Sequence, residues 1–295
     1  MSTRHPMPFD AFVAPARAHP QLWRLGLGLV LIVAGNMAVS AAIFAAVLWL
    51  RGAESGPLTL GATPGLMVLV LLSFGGVVLG TWAAARLLHR RGLGTLIGPR
   101  RRVVRHFLAG VAVIAVIYGI AFLVGVGRMD LERNLAPGLW LAWLPLALAG
   151  LLLQTGAEEL ALRGYLQQQL AARFASPLMW MVLPSVAFGL LHHDAGMMGE
   201  NAWLVVGVTG LFGLMAADLT ARSGSLGLAW GLHFANNVFA LTVVAPAGAL
   251  SGLALFTTPF GADDTGAMRG LLLLDVAVLG VIWGLCRLGL SRRAR

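Results

Sequence analysis

Three short stretches of the chain set side chains capable of acid–base chemistry among apolar residues. QTGAEELALRGY holds Glu158, Glu159 and Arg163; FGLLHHD holds His192, His193 and Asp194; GLHFANN holds His233, Asn236 and Asn237. Two further acids, Asp218 and Asp275, stand in apolar runs nearby. Ionisable groups at membrane depth are expensive and tend to be functional. A carboxylate beside an imidazole makes a general base able to activate water. Imidazole and amide N–H groups can donate to a developing oxyanion. Glu158 with His192 supplies the first function and His233 with Asn237 the second, which together are the parts required for peptide hydrolysis.

Helical spacing sorts these residues. Glu159 and Arg163 are four apart, on one face, and are expected to form a structural ion pair. Glu158 points about 100° away and is left to face the bundle interior. His233 and Asn237 share a face, as do Phe188 and His192. Asp218 precedes Arg222 by four residues and reads as a helix-end ion pair, whereas Asp275 has no partner visible in the sequence. His193 and Asn236 read as structural. The chain contains neither a His-Glu-x-x-His helix motif nor a Gly-x-Ser-x-Gly elbow. No cofactor is expected. A divalent metal such as zinc, held by Glu158, His192 and His233, is an alternative that the residues alone do not separate from a bare Glu–His base.

The elements that must position these groups are membrane helices. Of 295 residues, 58% are hydrophobic and 11% charged, with a mean hydropathy of +0.83; an average soluble domain carries about 25% charged residues. The fold class expected is all-α: a polytopic transmembrane bundle of about eight spans, near 23–50, 64–88, 106–126, 138–172, 177–193, 201–221, 225–245 and 268–288. The fourth is too long for one straight crossing at about 1.5 Å per residue, so its C-terminal end is expected to project into the cytoplasm. Counted from the basic or Pro-marked ends of their spans, Glu158, His192 and Asn237 each lie 15 residues in, roughly 22 Å along a helix.

The net charge of +9 comes from 21 arginines and no lysine. Eight spans with both termini inside put sixteen arginines on the cytoplasmic side and four outside, with Arg163 left within a span, which sets the orientation. That clustering argues against nucleic acid as a partner; the lipid bilayer is the expected one. The domain division is a cytoplasmic segment 1–22, a bundle 23–290 with its motif core at about 145–245, and a basic tail 291–295. The loop 89–106 is short and basic. The outer loop 245–266 reads as a mobile flap or a re-entrant segment. The single cysteine, Cys286, excludes an intrachain disulfide. The expected location is the plasma membrane of a bacterium.

Glu158-Glu159-x-x-x-Arg163, Phe188-x-x-x-His192 and His233-x-x-x-Asn237 resemble, in order and helix placement, the three motifs of the CAAX protease and bacteriocin-processing family, which includes the type II CAAX prenyl endopeptidases. One departure is Leu162, where many members have an aromatic residue. The resemblance implies an intramembrane endopeptidase in which Glu158 and His192 activate water, His233 and Asn237 stabilise the oxyanion, and Glu159–Arg163 is structural. It implies a membrane-embedded or lipid-anchored peptide or protein as substrate and an active site opening toward the membrane interior or cytoplasmic side. The competing expectations are a non-catalytic immunity or scaffold protein of the same fold, and a proton-coupled transporter using Glu158, Asp218 and Asp275.

Overall fold

A computed structural model describes residues 7–52, 59–125 and 130–292. Arg4, Arg128, Arg293 and Arg295, which entered the charge count, and most of the 291–295 tail lie outside the described residues.

The described chain is mostly helical. It comprises α1 (Met7–Val13), α2 (Leu22–Arg51), α3 (Pro64–Leu88), α4 (Arg100–Gly125), α5 (Pro137–Arg173), α6 (Leu178–Leu190), α7 (Ala202–Ser223), α8 (Gly227–Val238) and α9 (Thr265–Arg292). Among the described residues six helices are long and apolar enough to cross a membrane: α2, α3, α4, α5, α9, and α7 together with the turn before it. The other two expected spans are present as shorter helices. α6 stops at Leu190, and α8 passes through a π-helical turn, Phe239–Val243, into a strand. α8 is sheathed by other helices and buries Gly227, Leu228, Ala229, Gly231, Leu232, His233 and Ala235, whereas α6 leaves Leu178, Leu183, Val186 and Leu190 exposed. A helix enclosed in protein need not span the hydrocarbon thickness, because its end groups find protein partners.

Three features modify the sequence reading. The last part of α5 is enclosed by protein: Leu160 through Ala171 are all buried. Its glutamines are tied to neighbouring backbone, Gln167 Nε2 donating to Ala217 O at 3.1 Å and Gln168 Nε2 to Thr95 O at 3.2 Å. The N-terminal segment helps enclose it, since α1 buries Phe9, Phe12 and Val13 and stacks Phe9 on Trp180 at 4.7 Å. The 245–266 stretch is built on short strands. It forms β2 (Val244–Ala247) and β3 (Phe256–Gly261), with β3 parallel to β2 and antiparallel to β1 (Glu132–Arg133). Between them Leu253 and Ala254 are buried, and Asn134 Nδ2 donates to Ser251 O and Ala254 O, each at 2.8 Å.

The helix that carries the third motif is held by backbone-close packing. A Cβ added at Gly227 or Gly231 would collide with the carbonyls of Val103 and Phe107 on α4, and one at Gly110 would meet Leu228 O at 2.8 Å. Small residues at such crossings let helices associate in lipid, where the apolar surroundings provide no hydrophobic drive. On the other side, Trp230 Nε1 donates to Thr155 Oγ1 at 3.2 Å, linking α8 to α5. Those two contacts set the depth and rotation of α8 against α5, and so the position of His233.

Candidate active site

α5 is α-helical to Glu159 and then winds as a π-helix from Leu160 to Gln167. Such local widening of a helix is frequent at functional sites. Glu159 and Arg163 straddle the transition and form the expected pair, with Nη1 to Oε1 at 3.2 Å, the side chains being 0% and 2% exposed. Arg163 also donates to Gly213 O at 3.3 Å and lies over the Phe188 ring at 4.7 Å. Glu159 is therefore anchored to α7 and α6 as well as to its own helix.

Glu158 lies differently. Its side chain is 15% exposed, and its Oε1 accepts from Gln154 Nε2 at 2.8 Å. Its Oε2 is buried and has no hydrogen-bond partner among the described residues. His233 stands between the two glutamates: Nδ1 is 2.9 Å from Glu159 Oε1 and Nε2 is 3.4 Å from Glu158 Oε2. A carboxylate only accepts, so Nδ1 carries its hydrogen toward Glu159.

His192 occupies the turn that follows α6. Its Nδ1 donates to Phe188 O at 2.9 Å, which leaves Nε2 as an acceptor. Its ring packs edge-on against Phe188 at 4.6 Å, and Phe188 in turn packs against His233 at 6.0 Å. The sequence pairing of Glu158 with His192 is not made as a hydrogen bond; the imidazole nearest Glu158 is His233. His193 is exposed and packs on Trp203 at 4.6 Å, and Asp194 caps the short turn at Ala195–Met198.

Asn237 belongs to a directed chain. Tyr118 O–H donates to Asn236 Oδ1 (2.8 Å), Asn236 Nδ2 to Asn237 Oδ1 (3.1 Å), Asn237 Nδ2 to Gln154 Oε1 (3.0 Å), and Gln154 Nε2 to Glu158 Oε1 (2.8 Å). The acceptor-only carboxylate at the end dictates every amide orientation, since turning any one would oppose two donors or two acceptors. One N–H of Asn237 is thereby used and the other is left for a ligand. Sequence reasoning assigned no role to Gln154 or Tyr118. Gln154 is i, i−4 from Glu158, the same spacing that exposed the Glu159–Arg163 pair, and was findable by it. Tyr118 was not, because its contact crosses helices.

Among the described residues no group of three His, Cys, Asp or Glu side chains is placed to hold a metal ion. His233 Nδ1 is taken by Glu159, while its Nε2 faces the unpaired Oε2 of Glu158. Asp218 is engaged elsewhere, with Arg222 at 2.9 Å and Trp283 Nε1 at 2.9 Å. Asp275 lines a separate apolar cavity beside Tyr118 and Asn236.

Residues 139–239 match the family model described as type II CAAX prenyl endopeptidase Rce1-like. An uncharacterized protein of Bacillus subtilis (strain 168), YyaK, is 31% identical over 168 residues, covering 54% of this chain and 55% of the relative. The chain thus matches about half the length of that curated relative. No solved structure matches the chain. Glu158, Glu159, Arg163, Phe188, His192, His233 and Asn237 all fall within the matched stretch, and it is this motif-bearing part of the chain that is similar to the type II CAAX prenyl endopeptidase Rce1-like model.

Proposed function

We propose that the protein is an intramembrane endopeptidase that hydrolyses a peptide bond of a membrane-embedded or lipid-anchored peptide, with Glu158 as general base. One observation carries this reading. Glu158 Oε2 is a buried oxygen without a partner, beside His233 Nε2, on a glutamate that is still 15% exposed. Buried polar atoms are rarely left unpaired, and a water seated there would be polarised by the carboxylate and an imidazole at once. Glu159 also has an unpaired Oε2, but at 0% exposure it is closed to a water that must reach substrate.

In this mechanism Glu158 takes a proton from the water as its oxygen attacks the scissile carbonyl. The developing oxyanion is met by the remaining N–H of Asn237 and by a proton on His233 Nε2, and Glu158 returns its proton to the leaving amine. Glu159 and Arg163 hold His233 in place. His192 offers Nε2 as an acceptor to the water or to the incoming peptide. No metal is assigned a step in this reading. The protein is assigned to a bacterial plasma membrane with both chain ends inside, on the arginine distribution, and its active site to an opening toward the membrane interior or cytoplasmic side.

The test compares membrane fractions of host cells that contain the wild-type protein with those containing Glu158→Gln, by mapping new protein N-termini. New termini present only with the wild type support the proposal; identical sets in both contradict it.

A further inference from the structure

Another cavity lies between α6, α7 and α9 and is lined by none of the motif residues. It has a volume of about 310 Å³ and is walled by Met181, Leu211, Leu214, Met215, Leu279 and Gly280. At one end stand Asp218, Trp283 and Arg287, with Arg222 on the next turn of α7. Leu211 and Arg222 are eleven residues apart, so the apolar slot and its polar mouth extend about 16 Å along α7.

The mouth is organised around one carboxylate. Asp218 accepts from Arg222 Nε, at 2.9 and 3.1 Å to its two oxygens, and from Trp283 Nε1 at 2.9 Å. Arg287 Nε is 3.7 Å from Asp218 Oδ2, beyond hydrogen-bond reach, and its guanidinium lies over the Trp283 ring at 4.7 Å. Two guanidiniums facing one carboxylate leave a net charge of +1. Asp218 uses only the Nε–H of Arg222, so both terminal NH₂ groups of Arg222 and all five donors of Arg287 make no hydrogen bond to a described residue. A planar guanidinium with open donors matches phosphate geometry. Both arginines are well exposed, at 41% and 36%. A tryptophan at the same level is the residue type that marks the membrane–water interface.

We infer that this cavity binds an anionic phospholipid, its phosphate on Arg222 and Arg287 and one acyl chain in the slot between α7 and α9. Charge complementarity selects the occupant: a zwitterionic lipid brings its own cation to a mouth already positive, whereas a lipid with net negative charge neutralises it. Asp218 is the one group a phosphate must stay clear of. Held by Arg222 and Trp283, it sets the two guanidiniums apart and turns their free donors outward. This inference is independent of the proteolytic reading and needs no substrate to test.

The experiment is thermal unfolding of the full chain in a non-ionic detergent, with added phosphatidylglycerol or phosphatidylcholine of the same acyl chains, or with inorganic phosphate alone. Phosphatidylglycerol is expected to raise the midpoint by about 3 °C more than phosphatidylcholine, and inorganic phosphate to leave it unchanged. Arg222→Gln with Arg287→Gln should abolish the difference. Gly280→Leu is a second, independent variant. A Cβ at Gly280 meets nothing within 4 Å, so a leucine there fills the slot while leaving both guanidiniums intact, and it too should abolish the preference. Equal shifts from the two lipids, a preference that survives Gly280→Leu, or a shift reproduced by inorganic phosphate would each overturn the inference.

Discussion

Among the described residues two acid–arginine ion pairs share the i, i+4 spacing, and their surroundings make them different objects. Glu159–Arg163 is sealed, with exposures of 0% and 2%, and each partner reaches a further helix through His233, Gly213 O or Phe188. Asp218–Arg222 is open, at 18% and 41%. Spacing reveals a pair; burial decides what it is worth. Removing one partner of a sealed pair strands a charge without water and costs several kcal/mol, while an exposed pair contributes about 0–1 kcal/mol.

Arg163→Met against Arg222→Met is the sharpest test of that contrast. The first is expected to destabilise by about 3–5 kcal/mol, leaving Glu159 buried and uncompensated. Urea or thermal unfolding of the two variants in one detergent measures the gap, and equal losses would break the comparison.

A smaller effect tests the hydrogen-bonded chain beside the sealed pair. Gln154→Leu removes the donor that aims Glu158, and a hydrogen bond to a charged group contributes about 1.5–3 kcal/mol. Turnover is expected to fall about 10- to 100-fold while the unfolding midpoint changes less than in Arg163→Met. A variant that lost folding stability instead of turnover would make the chain structural rather than catalytic.

A third buried polar contact titrates. His89, just beyond the end of α3, is buried, with Nδ1 3.0 Å from His19 O and Nε2 2.8 Å from Tyr165 Oη. Nδ1–H donates to the carbonyl and Nε2 accepts from the phenol, so both bonds are satisfied by the neutral ring. Burial first, and then Arg91 and Arg24, lower its pKa below the ordinary value of 6.5, against the His19 carbonyl bond, which raises it. A lowered folded-state pKa means that the unfolded chain binds the proton more readily. The stabilisation is complete above pH 6.5 and is lost as pH falls through that value toward the folded pKa, at no more than about 1.4 kcal/mol per pH unit. Unfolding midpoints between pH 7.5 and 5 should therefore fall more steeply for wild type than for His89→Gln. The smallest expected effect is that of Arg222→Met, within about 1 kcal/mol. Chelation by EDTA is expected to leave cleavage within about twofold, since no step is assigned to a metal and catalytic metals contribute far more than that.

The residues that act within one helix were readable from spacing: Glu159 with Arg163, Asp218 with Arg222, and the common face of His233 and Asn237. The contacts between helices were not. His233 rather than His192 meets Glu158 because Gly110, Gly227 and Gly231 let α8 sink onto α4, and because the Trp230–Thr155 bond fixes α8 against α5. Those are distances of approach, which periodicity does not encode. The burial of α1 is not legible in the sequence for a different reason. Seven residues are too few to display a helical period, and their apolar partners, such as Trp180, lie far along the chain. Likewise the short strands at 244–247 and 256–261 are paired to each other and to 132–133 across long sequence separations, with little alternation of their own.

The central claim is that Glu158, and not its sealed neighbour Glu159, is the base. The most direct measurement is the cleavage rate of purified Glu158→Gln on a membrane protein whose new N-terminus appears only with the wild type, alongside its unfolding midpoint. The account predicts a wild-type midpoint with cleavage slowed at least 100-fold, the lower range for loss of a general base. Cleavage at the wild-type rate by a folded Glu158→Gln protein would contradict it.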